Sequence, residues 1–214
     1  MHLRPFRLER YYDTREFTAP HMMSASDCEP WTVAQLAALD PRGVERLLDL
    51  SLGYTHTTGH PNLRARIAAL YAGVHPDEIL VHAGAKEDVL MCLNAALAPG
   101  DHVIVHHPAY QSAAEVPAAL GCDVTAWATT AADAWELDVD ALRRAIRPRT
   151  SAIVLNAPHS PTGSLPSLAT FEAIIAVARD HGLLLFSDEV YRGLEHDERD
   201  RLPAVVERYE RGVL

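Results

Sequence analysis

Lysine is all but missing: Lys86 is the only one among 214 residues. It follows Ala85 and precedes Glu87, so the G-x-x-x-x-G-K-[ST] phosphate loop of a nucleotide hydrolase is absent. Cysteine is scarce as well. Cys28, Cys92 and Cys122 form no C-x-x-C pair and cannot build a disulfide framework, which fits a reducing cytoplasm. No apolar run approaches the ~18–20 residues that cross a bilayer, and the opening MHLRPFRLERYY has no apolar stretch of the kind a secretory signal needs. Basic runs are lacking too. Lys and Arg number 19 against 29 Asp and Glu, a formal charge of −10, so nucleic acid and anionic membranes are poor partners.

What is present is a regular alternation. With 48% hydrophobic and 22% charged residues the chain can bury one sizeable core. From about residue 60, apolar spacing predicts a helix over 61–71, with Leu63, Ile67, Leu70 and Tyr71 on one face. A strand is expected over 79–83, a helix over 85–97 ended by Pro99-Gly100, and a strand over 102–106. A helix over 111–120, a strand over 123–127, a helix near 138–146 and a strand over 151–156 follow. A helix over 167–181, turning Leu168, Phe171, Ile174 and Ile175 inward, leads to a strand over 183–187. Such alternation implies crossover units: an α/β fold with three α/β/α layers around a mostly parallel sheet. Ligands in such sheets bind beyond the carboxyl ends of the strands. Twelve histidines raise the question of metal, but His56 and His60 are separated by Gly59, and His106 and His107 point to opposite faces of a strand. No metal site is expected.

Three strand ends carry candidate chemistry. In VHAGAKED a strand passes through Gly84 into a helix, which describes either an anion site at a helix start or a plain tight turn. In HHPAYQS, Tyr110 follows a strand as a rim aromatic or a ring contact. NAPHSPTG, residues 156–163, is a stiff loop with two prolines and a glycine, where a cis X-Pro bond has a place. The stretch LLLFSDEVY sets Asp188 at the inner end of a buried strand, where a carboxylate needs a cation. A protonated pyridine nitrogen satisfies that need, and Tyr191 could then donate to the ring's phenolic oxygen.

These motifs in this order resemble the class I/II aminotransferases that depend on pyridoxal 5′-phosphate, the fold type I group, from about Glu29 to Leu214. The resemblance rests on Tyr54, Gly59, Leu63 and Arg64, on Gly84-Ala85-Lys86, on PGDHVIV running into Pro108 and Tyr110, on N-x-P-H-x-P-T-G and on S-D-E-V-Y. It implies amino-group transfer between an amino acid and a 2-oxo acid in a cytoplasmic homodimer. Asp188 would pair with the ring nitrogen, Tyr191 would reach the ring oxygen and Tyr110 would stack on the ring. Gly84, Ala85 and Lys86 would hold the phosphate, joined by Tyr54 from the neighbouring subunit. Residues 1–45 would be an arm or small-domain segment and 46–214 an incomplete cofactor-binding large domain.

The chain also departs from the family. Ser160 stands where the family has asparagine before P-T-G, and Asn156 is a different position that does not inherit its contact. Cys28-Glu29-Pro30 replaces G-E-P. The lysine that holds the cofactor as a Schiff base is expected beyond Leu214, so these 214 residues are expected to contain no catalytic lysine and to be inactive alone. Other chemistry on the same cofactor, a lyase or the amino-acid cyclases that SASDCEP and GLEHD resemble, stays open, as does a non-catalytic cofactor-binding or dimerisation remnant.

Overall fold

The computed structural model describes residues 2–214 and divides them into two compact units. One spans 5–57 and holds three short helices: α1 (Arg7–Arg15), α2 (Val33–Ala38) and α3 (Gly43–Leu48). Helix α2 begins with a capping box. The Thr32 hydroxyl accepts the Gln35 N–H at 3.1 Å and the Gln35 side chain accepts the Thr32 N–H at 2.8 Å. Nothing in these three helices is buried.

The other unit, residues 2–4 with 58–214, contains the sheet. Its elements are α4 (Pro61–Ala68), α5 (Ala85–Ala96), β1 (His102–His107), α6 (Gln111–Ala119), β2 (Asp123–Ala128), α7 (Val139–Ala145), β3 (Thr150–Asn156), α8 (Leu168–Asp180), β4 (Leu184–Asp188) and β5 (Gly212–Val213). The strands are all parallel, in the order β2-β1-β3-β4-β5. The winding direction reverses between β1 and β3, and a crevice opens at the carboxyl ends beside such a reversal.

Alternation along each strand makes the three layers. Val103 and Val105 of β1, with Ala152 and Val154 of β3, pack with Val89 and Leu93 of α5 and Val116 of α6. Ile104, Ile153 and Leu155 face the other way, onto Leu142 of α7 and Phe171, Ile174 and Ile175 of α8. Side-chain caps begin the helices of this second face. Asp138 accepts from Asp140 and Ala141 N–H at 2.8 and 2.9 Å, and the Ser167 hydroxyl accepts from Thr170 N–H at 3.0 Å. At the opposite end from the crevice, the buried His102 ring bridges three strands, with Thr150 Oγ1 2.7 Å from Nδ1 and Thr125 Oγ1 2.8 Å from Nε2.

Three sequence expectations change. Residues 79–82 form no strand, and Leu80 and His82 line, with Tyr209 and Val213 among others, a cavity of about 470 Å³. The Val81 N–H goes instead to the Thr58 carbonyl at 3.1 Å. Helix α4 buries only Ala68, while Leu63 and Leu70 stay exposed. Leu168 is exposed in the first turn of α8, whose buried face starts at Phe171.

Candidate functional site

Asn156 and Asp188 end adjacent parallel strands and are register partners. The Asn156 side chain uses both of its polar ends there. Its Nδ2 donates to the Asp188 carbonyl at 2.8 Å, and its Oδ1 accepts the Ser160 N–H at 2.7 Å. The end of β4 and the loop after β3 are thereby tied through one amide. Beyond Ser160 the loop closes on itself, with Gly163 N–H donating to His159 O at 2.8 Å and His159 N–H to Ser164 O at 2.9 Å. The peptide bonds before Pro108, Pro158 and Pro161 are cis.

The Asp188 carboxylate accepts the Val190 N–H at 3.2 Å. Burial pushes its carboxyl above the usual carboxylate range, and only that backbone N–H pulls the other way. Its neighbour Glu189 is also raised by burial, but it has a cation: Arg192 Nη1 donates to Oε2 at 3.2 Å, while Val205 N–H donates to Oε1 at 3.1 Å. Of the two acids in the DEVY stretch, Glu189 is thus a structural clasp and Asp188 is the one left without a cation among the described residues.

Helix α5 starts at Gly84, which has φ +128° and ψ 160°, a conformation that essentially only glycine adopts. No side chain caps the helix, and a Cβ at Gly84 would meet nothing within 4 Å. A cavity of about 220 Å³ is walled by Ala85, Asp88, Phe186, Asp188 and Val190. Burial raises Asp88 in that wall, His82 at 3.6 Å opposes the rise, and the charge of Asp188 adds to it.

The structure therefore brings Ala85 and Asp188 to one cavity. Ser160 and Tyr191 line another, of about 360 Å³. Lys86 Nζ lies 5.1 Å from the centroid of the Tyr110 ring. Tyr54 belongs to the unit spanning 5–57 and is fully exposed. Asp88, the double contact of Asn156 and the histidine inside the stiff loop, His159, escaped the sequence reading. The available local signals were the spacing of Asp88 along the first turn of α5 and the Thr162 three places after His159.

Comparison with known proteins shows the family. The family profile of aminotransferase class I and II matches residues 30–213. A protein described as a probable N-succinyldiaminopimelate aminotransferase, from Mycobacterium tuberculosis, is 37% identical over 157 residues, covering 70% of this chain and 40% of its own length. Capreomycidine synthase of Streptomyces vinaceus is 30% identical over 193 residues, 89% of this chain and 49% of the relative. A solved structure of a PLP-dependent aminotransferase from Streptococcus suis superimposes with a TM-score of 0.91 at 31% identity, over 99% of this chain and 57% of that one. The chain spans about two fifths of the length of the first curated relatives it matches. With the family model matching residues 30–213, the chain belongs to the class I and II aminotransferases.

Proposed function

We propose that this chain supplies the pyridoxal 5′-phosphate cradle of an enzyme that moves an amino group between an amino acid and a 2-oxo acid. The observation that carries the reading is Asp188, a half-buried carboxylate at a strand's carboxyl end, raised by burial and opposed only by one N–H. An acid of this kind fits a ligand that brings its own positive charge. The open space beside Gly84 and the uncapped start of α5, a helix of 12 residues, fit the ligand's phosphate.

When bound, the cofactor supplies an electron sink for chemistry at the amino acid's α-carbon. Asp188 holds a proton on the ring nitrogen, and the Val190 N–H helps keep the carboxylate ionised for that task. Tyr191 and Ser160, from one cavity wall, serve the ring oxygen. Tyr110 covers a ring face, while Gly84, Ala85 and Lys86 receive the phosphate, with Tyr54 coming from a second copy in a homodimer. Lys86 belongs to this cradle. The reading gives the proton-shuttling role to no residue of this chain, whose one lysine is Lys86. The cytoplasm is the proposed location; no helix among the described residues is long and apolar enough to cross a membrane.

A second reading, cyclisation of an amino acid on the same cofactor, draws on the likeness to capreomycidine synthase over 89% of this chain. A solved PLP-dependent cyclase, OrfR, adds to it at 30% identity and a TM-score of 0.78. The first experiment is to titrate the 214-residue chain with pyridoxal 5′-phosphate, following protein fluorescence and visible circular dichroism. Saturable binding, lost by about tenfold or more in Asp188→Ala, is the expected result. Binding that ignores Asp188, or no binding, overturns the proposal.

A further inference from the structure

His159 is 3% exposed and reaches out of its own loop. Its Nε2 lies 2.7 Å from the carbonyl oxygen of Pro108, 51 residues earlier, and its Nδ1 lies 2.6 Å from Thr162 Oγ1. A carbonyl only accepts, so Nε2 carries the proton, which leaves the other ring nitrogen, Nδ1, beside the Thr162 hydroxyl. The ring stacks on that of His106, with centroids 3.9 Å apart. His106 is itself 2% exposed, and neither of its ring nitrogens has a hydrogen-bond partner. Burial is the main cause that pushes the His106 imidazole down to about 3, and burial also lowers His159, so the stack is a pair of neutral rings.

Pro108 stands two residues before Tyr110, and His159 stands one before Ser160. Ser160 N–H donates to Asn156, which donates to the Asp188 carbonyl. Three hydrogen bonds, joined through the His159–Ser160 peptide, thus connect the end of β4 to the loops after β3 and β1, and His159 is the link to the loop after β1.

We propose that His159 is a positioning residue: through its Nε2–H bond to Pro108 it fixes the Tyr110 loop against the Asn156–Gly163 loop, so that Tyr110 and Ser160 present themselves at a set separation to one planar ring. The inference rests on the cofactor reading above. His159 also lines the cavity of Ser160 and Tyr191, but the role assigned to it runs through its bond to Pro108. His106 beneath it is a flat, uncharged support for the ring.

The test uses the 214-residue chain, wild type, His159→Leu and His159→Gln. Without ligand, amide exchange at Ala109, Tyr110 and Gln111 is expected to rise about tenfold in the leucine variant and to return towards wild type in the glutamine variant, which still offers an N–H. Pyridoxal 5′-phosphate affinity is expected to fall about tenfold in His159→Leu, with weaker visible circular dichroism at saturation. Inorganic phosphate affinity, read at the start of α5, should stay within about twofold. Equal losses for the two ligands would mean a merely structural residue and overturn the inference, as would unchanged exchange at 109–111. Should the leucine variant not fold, nitrogen-15 shifts of wild-type His159 decide. The neutral Nε2–H form supports the bond to Pro108, and an Nδ1–H or cationic ring refutes it. Wild-type chain that binds no pyridoxal 5′-phosphate sinks the cofactor reading, while exchange and nitrogen shifts still settle whether His159 ties the two loops.

Discussion

Replacing Asn156 tests the architecture of the crevice most directly. Asn156→Ala removes the 2.8 Å bond to the Asp188 carbonyl and the 2.7 Å bond from the Ser160 N–H. Each backbone group left without its partner costs about 1–3 kcal/mol, reduced here because Asn156 is half-buried and water can reach part of the gap. The combined loss is about 2–4 kcal/mol, which lowers the melting temperature by roughly 5–15 °C in a domain of this size. Asn156→Asp is sharper. Its carboxylate can still accept from Ser160 but faces the carbonyl of its register partner Asp188 acceptor to acceptor. Only the protonated acid restores a donor, so the folded state raises this carboxyl above its unfolded value near ~3.9. The stability it contributes is therefore present below the unfolded value and is lost as pH rises through the folded one. Urea unfolding of the three proteins at about pH 4, 5.5 and 7 reads this, and the gap between Asn156→Asp and wild type should widen with pH. An alanine variant within about 0.5 kcal/mol of wild type, or an aspartate gap that ignores pH, refutes the clamp.

Other perturbations have equally definite signs. Asp188 is raised by burial in the folded chain, so its charge costs stability above the carboxylate range. Asp188→Asn should melt higher than wild type at neutral pH, lose that advantage below about pH 4, and bind pyridoxal 5′-phosphate more weakly; an unliganded variant that melts lower at neutral pH contradicts this. Gly84→Ala meets no steric neighbour, so its cost is backbone strain alone, about 1–3 kcal/mol by urea unfolding; a neutral substitution would show that the φ of +128° is not required. Burial pushes the Cys92 thiol up to about 11, whereas Cys28 is exposed. Iodoacetamide at pH 8 followed by peptide mass analysis should mark Cys28 and spare Cys92 in the folded chain, and comparable labelling would mean that α5 opens readily.

The strands were legible because sheets covered on both faces read as apolar runs, and HVIVHH, SAIVLN and LLLFSD each sit within a residue or two of the expected bounds. The helices near 138–146 and 167–181 were read without their caps, which the structure supplies at Asp138 and Ser167. Residues 79–83 misled because an apolar run reports that a segment can pair, not that a partner lies alongside it. Leu63, Leu70 and Leu168 misled in the same way, since periodicity defines a face but not what covers it. At the crevice, Asp188 stood out as an acid closing an apolar strand. The partners of Asn156 lie 32 residues away at Asp188 and 4 away at Ser160, and His159 reaches 51 residues back to Pro108. Only the register of β1, β3 and β4 brings these together, and no local pattern encodes it.

The self-closing loop after β3 also bears on how tightly a ligand can be held. A loop that must be ordered by its ligand subtracts about 0.5–1.5 kcal/mol of affinity for every side chain it immobilises. Between His159 and Ser164 that ordering is complete before any ligand arrives, through the bonds from Gly163 N–H to His159 O and from His159 N–H to Ser164 O. The entropy is surrendered during folding, where it is shared with the collapse of the whole core. A molecule that meets this stretch finds backbone already bonded to itself, so contacts made there translate into affinity with little conformational tax.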